Sequence, residues 1–351
     1  MTKRLYLDHA ATTAVLPQAR AAMIDACATW ANPSSPHAEG RAARAMLEDA
    51  RERIKTALGW EHELIFTSGA TEAIAIALSR SNCDAVFVAA SEHDAVHRAA
   101  AQAYFLPVEA DGRVSGDALT GRLAALAAKT PLVAIQSANN ETGVLQPLDA
   151  LAKIVRKAGG ILFADCAQSA GKVDLPDADL IAISAHKFGG PPGIGALLVR
   201  DFGLLQASGG QERGYRAGTE NLPAVMGFAA ALEAGRGWVT RAGELRAHLD
   251  SAIEAAGGKV VARETPRIAT IASYHMPGVA ANTQLIQFDM AGIAVSAGSA
   301  CSSGSLKPSH VLSAMGWDEK AASEVVRVSF GSDTSRADVY RFIEAWKRIK
   351  K

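Results

Sequence analysis

The sequence predicts an α/β protein with a large, mostly parallel sheet and a smaller α+β domain. Short apolar runs without polar alternation recur along the first two thirds of the chain, which is typical of strands buried on both faces. Ala-rich stretches with charged residues lie between these runs and have the length of helices. Strands that alternate with helices indicate a parallel sheet. The pattern changes near residue 250, where a second domain is expected to begin.

Length and composition narrow the class of protein. The chain has 351 residues, and because domains hold about 100–200 residues each, two domains are expected. The 36 Lys and Arg residues balance 36 Asp and Glu residues, and zero net charge argues against nucleic-acid binding through a basic surface. No apolar stretch approaches the roughly 20 residues of a membrane span. We therefore expect a cytoplasmic protein with neither a nucleic-acid nor a membrane partner.

The predicted strands of the first domain end abruptly in polar residues. These strands are 64–66, 86–90, 132–135, 161–164, 180–183 and 196–199, and the helices between them are 41–58, 71–81, 117–128 and 147–158. In parallel sheets, ligands bind at the carboxyl ends of the strands. The polar residues at these ends therefore mark the expected pocket.

The second domain follows two longer helices. These helices are expected at 225–234 and 241–256, the later strands at 259–261, 268–271 and 325–329, and the later helices at 282–290, 308–315 and 335–349. We predict a large domain over 14–250 and a small α+β domain formed by 1–13 with 251–351. The small domain carries the loop that contains Cys301.

The four cysteines favour neither disulfides nor a zinc ribbon. Cys27, Cys83, Cys166 and Cys301 are too few and too scattered for a disulfide framework, and none belongs to a Cys-x-x-Cys pair. Most free cysteines are small buried hydrophobic residues. Cys301 differs because its neighbours in 295–308 are small, polar and flexible. An exposed thiol in such a loop suits a nucleophile.

Lys187 follows strand 180–183 and stands beside Ser184 and His186, with glycines behind it. A lone loop lysine is usually solvated, but one held at a strand end is well placed to act as an amine nucleophile. The glycines of 189–195 precede a strand and open no helix. A dinucleotide-binding fingerprint requires that helix, so this interpretation fails.

Asp165 ends another predicted strand, 22 residues before Lys187. A carboxylate at a strand end beside a lysine amine is the arrangement that pyridoxal phosphate requires, because the carboxylate keeps the pyridine nitrogen protonated. For an isolated aspartate, a helix N-cap or an ordinary loop position is the alternative.

Segment 67–72, between a strand and a helix, has the form of a phosphate cradle. Gly69 and Ala70 allow a close approach, and the hydroxyls of Ser68 and Thr71 join the free amides of a helix start, which attract anions. A hydroxyl residue at a helix start is more often only a cap. The segment alone therefore leaves both interpretations open.

Two further polar side chains lie on or beside predicted strands. His93 and His97, four residues apart, could bind a metal from one helix face, but no third ligand is evident, so no metal is expected. A flat imidazole stacked on a cofactor ring is the better use of His93. Arg327 could clamp a substrate carboxylate with its planar fork, and a surface salt bridge is the equal alternative.

Taken in order, these segments resemble the cysteine desulfurases of the NifS/IscS type, in the class V aminotransferase group. The matching segments run through nearly the whole chain: 6–13, 32–35, 40–41, 67–72, 92–93, 139–143, 165–168, 184–187, 209–219, 298–301 and 327–331. The resemblance implies the pyridoxal phosphate-dependent transferase fold, which is aspartate aminotransferase-like and of fold type I. It also implies conversion of L-cysteine to L-alanine with transfer of the sulfur.

The resemblance assigns the cofactor ring to four residues. Lys187 would bind the cofactor covalently and later move a proton. Asp165 would pair with the pyridine nitrogen and Gln168 with the ring hydroxyl. His93 would stack on the ring and take part in catalysis.

The same resemblance assigns the phosphate group. Within one chain it would be held by Ala70, Thr71, Ser184 and His186. Thr219 would reach the phosphate of a partner subunit, which implies a homodimer with shared sites.

For the substrate, the resemblance implies that Asn140 and Arg327 hold the carboxylate, with Asn32 near it. Asn140 would also contact the cofactor. Cys301 would take the sulfur as a persulfide and pass it to an acceptor protein. An iron–sulfur scaffold, a tRNA-thiolation carrier and a nitrogenase-linked scaffold are all open as acceptors.

Two features of the sequence limit what the resemblance implies. Cys166 stands where the family commonly has Ala, and we expect it to point into the core because it follows a strand-end residue. The loop 300–308 follows the family's long-loop group, which disfavours a main role as a selenocysteine lyase.

Two rival functions stay open. Another pyridoxal phosphate enzyme, such as an aminotransferase or a cysteine sulfinate lyase, is the first rival, and a non-enzymatic scaffold is the second.

Overall fold

The computed structural model describes residues 4–28, 31–126, 128–300, 306–307 and 309–350. Its strands are β1 Leu5–Tyr6, β2 Glu63–Thr67, β3 Ala85–Ala89, β4 Tyr104–Leu106, β5 Pro131–Ala134, β6 Ile161–Asp165, β7 Leu180–Ser184, β8 Gly195–Val199, β9 Lys259–Val260, β10 Ile271–His275, β11 Ile293–Ala294, β12 Ser299–Ala300, β13 Leu306–Lys307 and β14 Val325–Ser329. Its helices are α1 Pro17–Ala26, α2 Ala38–Leu58, α3 Ala70–Arg80, α4 Asp94–Ala99, α5 Gly116–Leu126, α6 Leu148–Lys157, α7 Leu222–Glu233, α8 Trp238–Ala255, α9 Ala281–Met290, α10 His310–Ala314, α11 Glu319–Ala322 and α12 Arg336–Lys350.

A seven-stranded sheet forms the centre of the molecule, in the order β2-β8-β7-β6-β5-β3-β4. Strands β4, β3, β5, β6 and β7 run parallel to one another. Strand β8 runs antiparallel to both β7 and β2. The predicted α/β class with a mostly parallel sheet is thereby confirmed.

Both faces of this sheet are covered, which explains the unbroken apolar runs of its strands. Successive strand residues point to opposite faces, so Leu64 and Phe66 pack in one core cluster with residues of α2, α5, α6 and α7. Ile65 points the other way and packs with residues of α3 and α4. The helices on both faces leave the carboxyl ends of β6 and β7 as the place where polar side chains can gather.

A second core lies around the antiparallel strands β14, β10 and β9. Leu249 of α8, Tyr274 of β10 and Trp346 of α12 are buried together there. Leu7 joins them, because β1 pairs in parallel with β11. The domain limits of 14–250 and 1–13 with 251–351 remain a prediction.

One predicted strand is misplaced. The apolar run 268–271 was expected to be a strand, but β10 covers Ile271–His275. Ile268 and Ile271 pack instead in a small cluster with Ala10 and Ala138. The ladder with β14 starts only where Ile271 meets Ser329. Pairing with β14, which is distant in sequence, therefore places the strand in the more polar half of the segment.

Among the described residues, no helix is both long and apolar enough to cross a membrane.

Candidate active site

A cavity of about 310 Å³ opens at the carboxyl ends of β6 and β7 and at the start of α3. Its walls bring together most of the residues that the sequence singled out. These are Ala70, Thr71, His93, Asn140, Asp165, Gln168, Ser184, His186 and Lys187. They come from segments far apart in the chain, and the parallel sheet places its strand ends along one edge.

Lys187 lies in the single 3₁₀ turn Ala185–Lys187 that follows β7. Its Nζ donates hydrogen bonds to the carbonyls of Ala10 at 2.7 Å and Ala11 at 3.0 Å. Burial lowers the pKa of Lys187 to about 8, and the nearby Arg327 lowers it further, against the opposing effect of Asp165. An amine with this pKa is partly neutral near pH 7, which a nucleophile or a base requires.

We predict that Lys187 of the ligand-free protein titrates near pH 8. Because burial and Arg327 lower its pKa from 10.5 to about 8, the neutral fraction rises as the pH passes 8. The rate of its acetylation by acetic anhydride, followed by peptide mass spectrometry, should rise with that midpoint. Exposed Lys129 serves as the internal reference. Arg327→Gln removes a cation and should move the midpoint to higher pH, and a midpoint near 10.5 in the unaltered protein would refute the assignment.

Asp165 and His93 both line this cavity and interact electrostatically. The Asp165 Oδ1 accepts a hydrogen bond of 2.9 Å from the Ala167 amide. Burial raises the pKa of Asp165, although the neighbouring His93 and Lys187 oppose this effect. His93 caps α4 by accepting the Ala95 amide at Nδ1, 3.1 Å away, and burial lowers its pKa. In the neutral ring, Nε2 therefore carries the hydrogen.

The opposite end of the cavity is built to receive an anion. Helix α3 begins there, and its first amides have no partners within the helix. Gly69, at φ 156°, precedes the helix, and its backbone packs closely against Gly195. A Cβ on Gly195 would lie 2.7 Å from the Gly69 Cα, so this packing requires glycine at position 195. His186 Nδ1 lies 3.1 Å from Thr12 Oγ1. Burial, with Lys187 adding to it, lowers the pKa of His186 to about 4, so this ring is a neutral hydrogen-bonding group.

Arg327 lies beside the cavity and is held by two groups. Its Nη1 donates to the carbonyl of Asn140 at 2.9 Å, and its Nη2 donates to Asp8 Oδ1 at 2.7 Å. Its Nε is buried, and no described residue accepts a hydrogen bond from it. Asp8 was not among the predicted site residues, although its position in the segment 6–13 was a signal for it. Arg327 thus forms the ion pair that the alternative expected, but with 7% of the residue exposed the pair is buried and does not lie on the surface.

Besides Arg327, which lies beside the cavity, three predicted residues are not among those that line it. Asn32 is exposed, and its Oδ1 accepts the Ser34 amide at 2.9 Å. Thr219 is exposed and does not line the cavity of its own chain. Cys301 lies outside the described residues.

Two buried side chains, those of Cys166 and Lys172, lie close to the cavity. Cys166 is fully buried in the core, as predicted, and burial raises the pKa of its thiol to about 12. Lys172 was missed: it is 5% exposed, and burial together with the charge of Lys187 lowers its pKa to about 7. Within the described part of the chain, no group of three or more His, Cys, Asp and Glu side chains is arranged to hold a metal ion.

Comparison with known proteins identifies the family. The family model of aminotransferase class-V matches residues 5–342. A cysteine desulfurase of Gluconacetobacter diazotrophicus is 37% identical over 377 aligned residues, which cover 98% of this chain and 93% of that protein. The cysteine desulfurase IscS of Dictyoglomus turgidum is 34% identical, with 99% and 95% covered. A NifS-like protein of Rickettsia africae superposes with a TM-score of 0.90 at 30% identity, over 99% of both chains.

The chain therefore belongs to the aminotransferase class-V family, a family of pyridoxal phosphate-dependent enzymes. Within that family it falls in the cysteine desulfurase group. The resemblance that the sequence motifs carried, and the fold that it implied, are both confirmed.

Proposed function

We propose that this protein uses pyridoxal phosphate to convert L-cysteine to L-alanine and transfers the sulfur, as a persulfide on Cys301, to an acceptor protein. The observation that carries the proposal is that Lys187 and Asp165 face one cavity, beside which Arg327 is held against Asn140. An amine, a carboxylate and a guanidinium suit a pyridine cofactor and an amino-acid substrate. The relatives named cysteine desulfurase support the same reaction.

The residues of the cavity fit pyridoxal phosphate. A volume of about 310 Å³ is within the ordinary range of cofactor sites. The Gln168 Oε1 is buried and has no hydrogen-bond partner among the described residues, while its Nε2 donates to the Ala10 carbonyl at 2.8 Å. Asp165 is 6% exposed and forms no ion pair with any other residue that the structure describes. Both groups thus lack the partner that a ring hydroxyl and a protonated ring nitrogen would provide.

In this proposal each end of the cofactor has its own residues. Lys187 would hold it covalently, Asp165 and Gln168 would contact the ring, and His93 would stack on it. Ala70 and Thr71 at the start of α3 would hold the phosphate group. Two side chains at and beyond the end of β7, Ser184 and His186, would contact it as well. When bound, pyridoxal phosphate supplies an electron sink that makes the α-proton of the substrate acidic and its carbon–sulfur bond labile.

The chain's own groups bind the substrate and move its proton. Arg327 and Asn140 hold the substrate carboxylate, and Asn32 lies near it. Asp8 keeps the Arg327 fork in place through its 2.7 Å hydrogen bond. Lys187 Nζ, with a pKa of about 8, is available as a base to take the α-proton and then return a proton.

Cys301 receives the sulfur. One L-cysteine and one Cys301 thiol give one L-alanine and one persulfide, so atoms and electrons balance without an external oxidant. The persulfide is a reversible modification of the thiol, and it passes to an acceptor such as an iron–sulfur scaffold protein. Proximity of the two sulfurs replaces a bimolecular encounter.

We include a homodimer and a cytoplasmic location in this proposal. Exposed Thr219 is free to reach the phosphate group in a partner subunit. The segment that leads to it is tied to the cavity of its own chain, because Arg216 Nε donates to Glu72 Oε1 at 2.9 Å. Cys27, Cys83 and Cys166 are free thiols, which fits a reducing compartment.

The proposal is tested by visible absorption of the purified protein before and after addition of L-cysteine, with alanine and reducible sulfur assayed together. A yellow protein whose band shifts, and which releases the two products in equal amounts, supports it. A yellow protein that ignores cysteine contradicts the proposed substrate. A colourless protein that pyridoxal phosphate cannot restore contradicts the cofactor as well.

We predict that Cys301→Ala lowers alanine formation from L-cysteine by at least about 10²-fold, because the sulfur then has no positioned acceptor. The absorption band of the bound cofactor should be retained. Cys27→Ala is the matched control, since Cys27 is also a free thiol and is exposed; it should keep full turnover. Full turnover by Cys301→Ala would refute the persulfide step.

A further inference from the structure

The turn that carries Asn140 also contacts the ends of the segment that contains Cys301. Its next residue, Glu141, is 3% exposed. Glu141 Oε2 accepts a hydrogen bond of 2.5 Å from Ser309 Oγ. The same oxygen lies 3.7 Å from the position that a Cβ on Gly298 would occupy. Gly298 and Ser309 stand immediately before and after 299–308, so one carboxylate lies against both ends of that segment.

The two ends are held close to each other. Strands β12 and β13 pair in antiparallel register at the base of the segment. A Cβ on Gly298 would lie 3.3 Å from the Cβ of Ser309, so the two flanking residues are packed closely together. A contact that fixes Ser309 therefore also restricts the position of Gly298.

The Glu141 backbone is fixed on two sides. Asn139 Oδ1 accepts the amides of Glu141 at 2.9 Å and Thr142 at 2.8 Å. Ser273 Oγ of β10 donates to the Glu141 carbonyl at 2.7 Å. The carboxylate thus projects from a rigid turn.

The other end of the hairpin is tied to the proposed substrate site. The backbone of Ser296 exchanges two hydrogen bonds with that of Arg327, at 2.7 and 3.2 Å. Arg327 in turn donates to the Asn140 carbonyl. The turn therefore contacts Arg327, and Arg327 contacts the segment that leads into β12. Glu141 of the same turn contacts Ser309, which follows β13.

We propose that Glu141 is a positioning residue that fixes Gly298 and Ser309, and with them the paired strands β12 and β13, relative to the substrate groups Asn140 and Arg327. This inference rests on the proposed function. Sulfur transfer requires two sulfur atoms to meet at bonding distance, and a misplacement of about 1 Å can cost roughly 10²-fold in rate. Proton transfer at Lys187 has no such requirement for the hairpin.

Loss of the Glu141 carboxylate should loosen the hairpin without unfolding its surroundings. Ser309 Oγ also accepts the Leu312 amide at 3.1 Å and caps α10. That cap does not need Glu141. Alanine at 141 therefore removes one fixed partner of the hydroxyl and leaves the helix start intact.

The test compares two reactions of the cofactor-loaded enzyme. Glu141→Ala should lower the single-turnover rate of persulfide formation on Cys301 by about 10- to 100-fold. Exchange of the α-proton of L-alanine in D₂O, which needs Lys187 but not Cys301, should stay within about twofold. Glu141→Gln retains an acceptor for Ser309 and should recover most of the persulfide rate. Ser309→Ala combined with Glu141→Ala should add little, because both variants break the same contact.

Hydrogen exchange of the cofactor-free protein gives a readout that does not depend on turnover. Glu141→Ala should speed exchange in peptides covering 295–307 and leave peptides of β5 and β6 unchanged. The matched control is Glu324→Ala, which breaks another buried carboxylate contact of the small domain, Glu324 to His275 at 2.8 Å. It should lower thermal stability without changing the ratio of the two reaction rates.

The outcomes separate the two proposals. If the unaltered enzyme forms no persulfide, the proposed function fails, whatever Glu141 does. If it forms persulfide but Glu141→Ala slows both reactions equally, or slows neither, the positioning role is refuted.

Discussion

Replacing Lys187 with alanine is expected to lower the rate of alanine formation from L-cysteine by about 10²–10⁴-fold, the range that a positioned acid or base supplies. The amine is the group in the cavity whose pKa, about 8, suits proton transfer near neutral pH. It is also the proposed point of covalent attachment. Rates of alanine release measured at saturating pyridoxal phosphate separate lost chemistry from lost cofactor.

Companion variants show which property of Lys187 matters. Lys187→Arg keeps the positive charge but cannot act as an amine nucleophile, so it should be as inactive as the alanine variant. Added methylamine should restore part of the activity of Lys187→Ala, because a small amine can enter the space that the side chain leaves. Lys153→Ala removes an exposed lysine and should have no effect. Substantial activity in Lys187→Arg would contradict the proposed role.

Arg51→Ala is expected to lower the free energy of unfolding by about 3–5 kcal/mol, since it leaves a buried carboxylate without its partner. Arg51 is 2% exposed and Glu212 is 3% exposed. Arg51 forms two hydrogen bonds to Glu212, of 2.8 and 3.0 Å, and donates to the Leu64 carbonyl at 2.7 Å. Glu212 also accepts the Phe66 amide at 2.8 Å. One ion pair thus joins α2, β2 and the segment that leads to Thr219.

The same helix offers the matched control for this stability prediction. Arg53 pairs with Glu233, but their side chains are 32% and 41% exposed, and exposed pairs contribute about 0–1 kcal/mol. Urea unfolding of Arg51→Ala and Arg53→Ala at pH 7 gives both values. A loss in Arg51→Ala no larger than in Arg53→Ala would show that the buried pair is not needed for stability.

Segments whose conformation depends on local pattern were predicted well. The unbroken apolar runs at 161–164 and 180–183 became the central strands β6 and β7, because burial on both faces requires apolar residues at every position. Strand ends in a parallel sheet meet at one edge. Asp165 and Lys187 could therefore be placed in one pocket from the sequence alone.

Features that depend on partners distant in sequence could not be predicted in this way. The ion pair of Arg51 with Glu212 spans 161 residues, and the hydrogen bond from Ser309 to Glu141 spans 168. The strand expected at 268–271 moved to 271–275 because its hydrogen-bond partners on β14 determine the register. Nothing near these residues in the chain indicates such partners.

The α/β class, the family and most of the residues around the cavity follow from the amino-acid sequence alone, because periodicity and short motifs are local properties of the chain. How those residues are held depends on the folded structure. It placed Asp8 on Arg327 and lowered the pKa of Lys187 by burial. It also set Glu141 against the ends of the Cys301 segment. Burial and long-range contact arise when the chain packs, so they belong to the folded molecule.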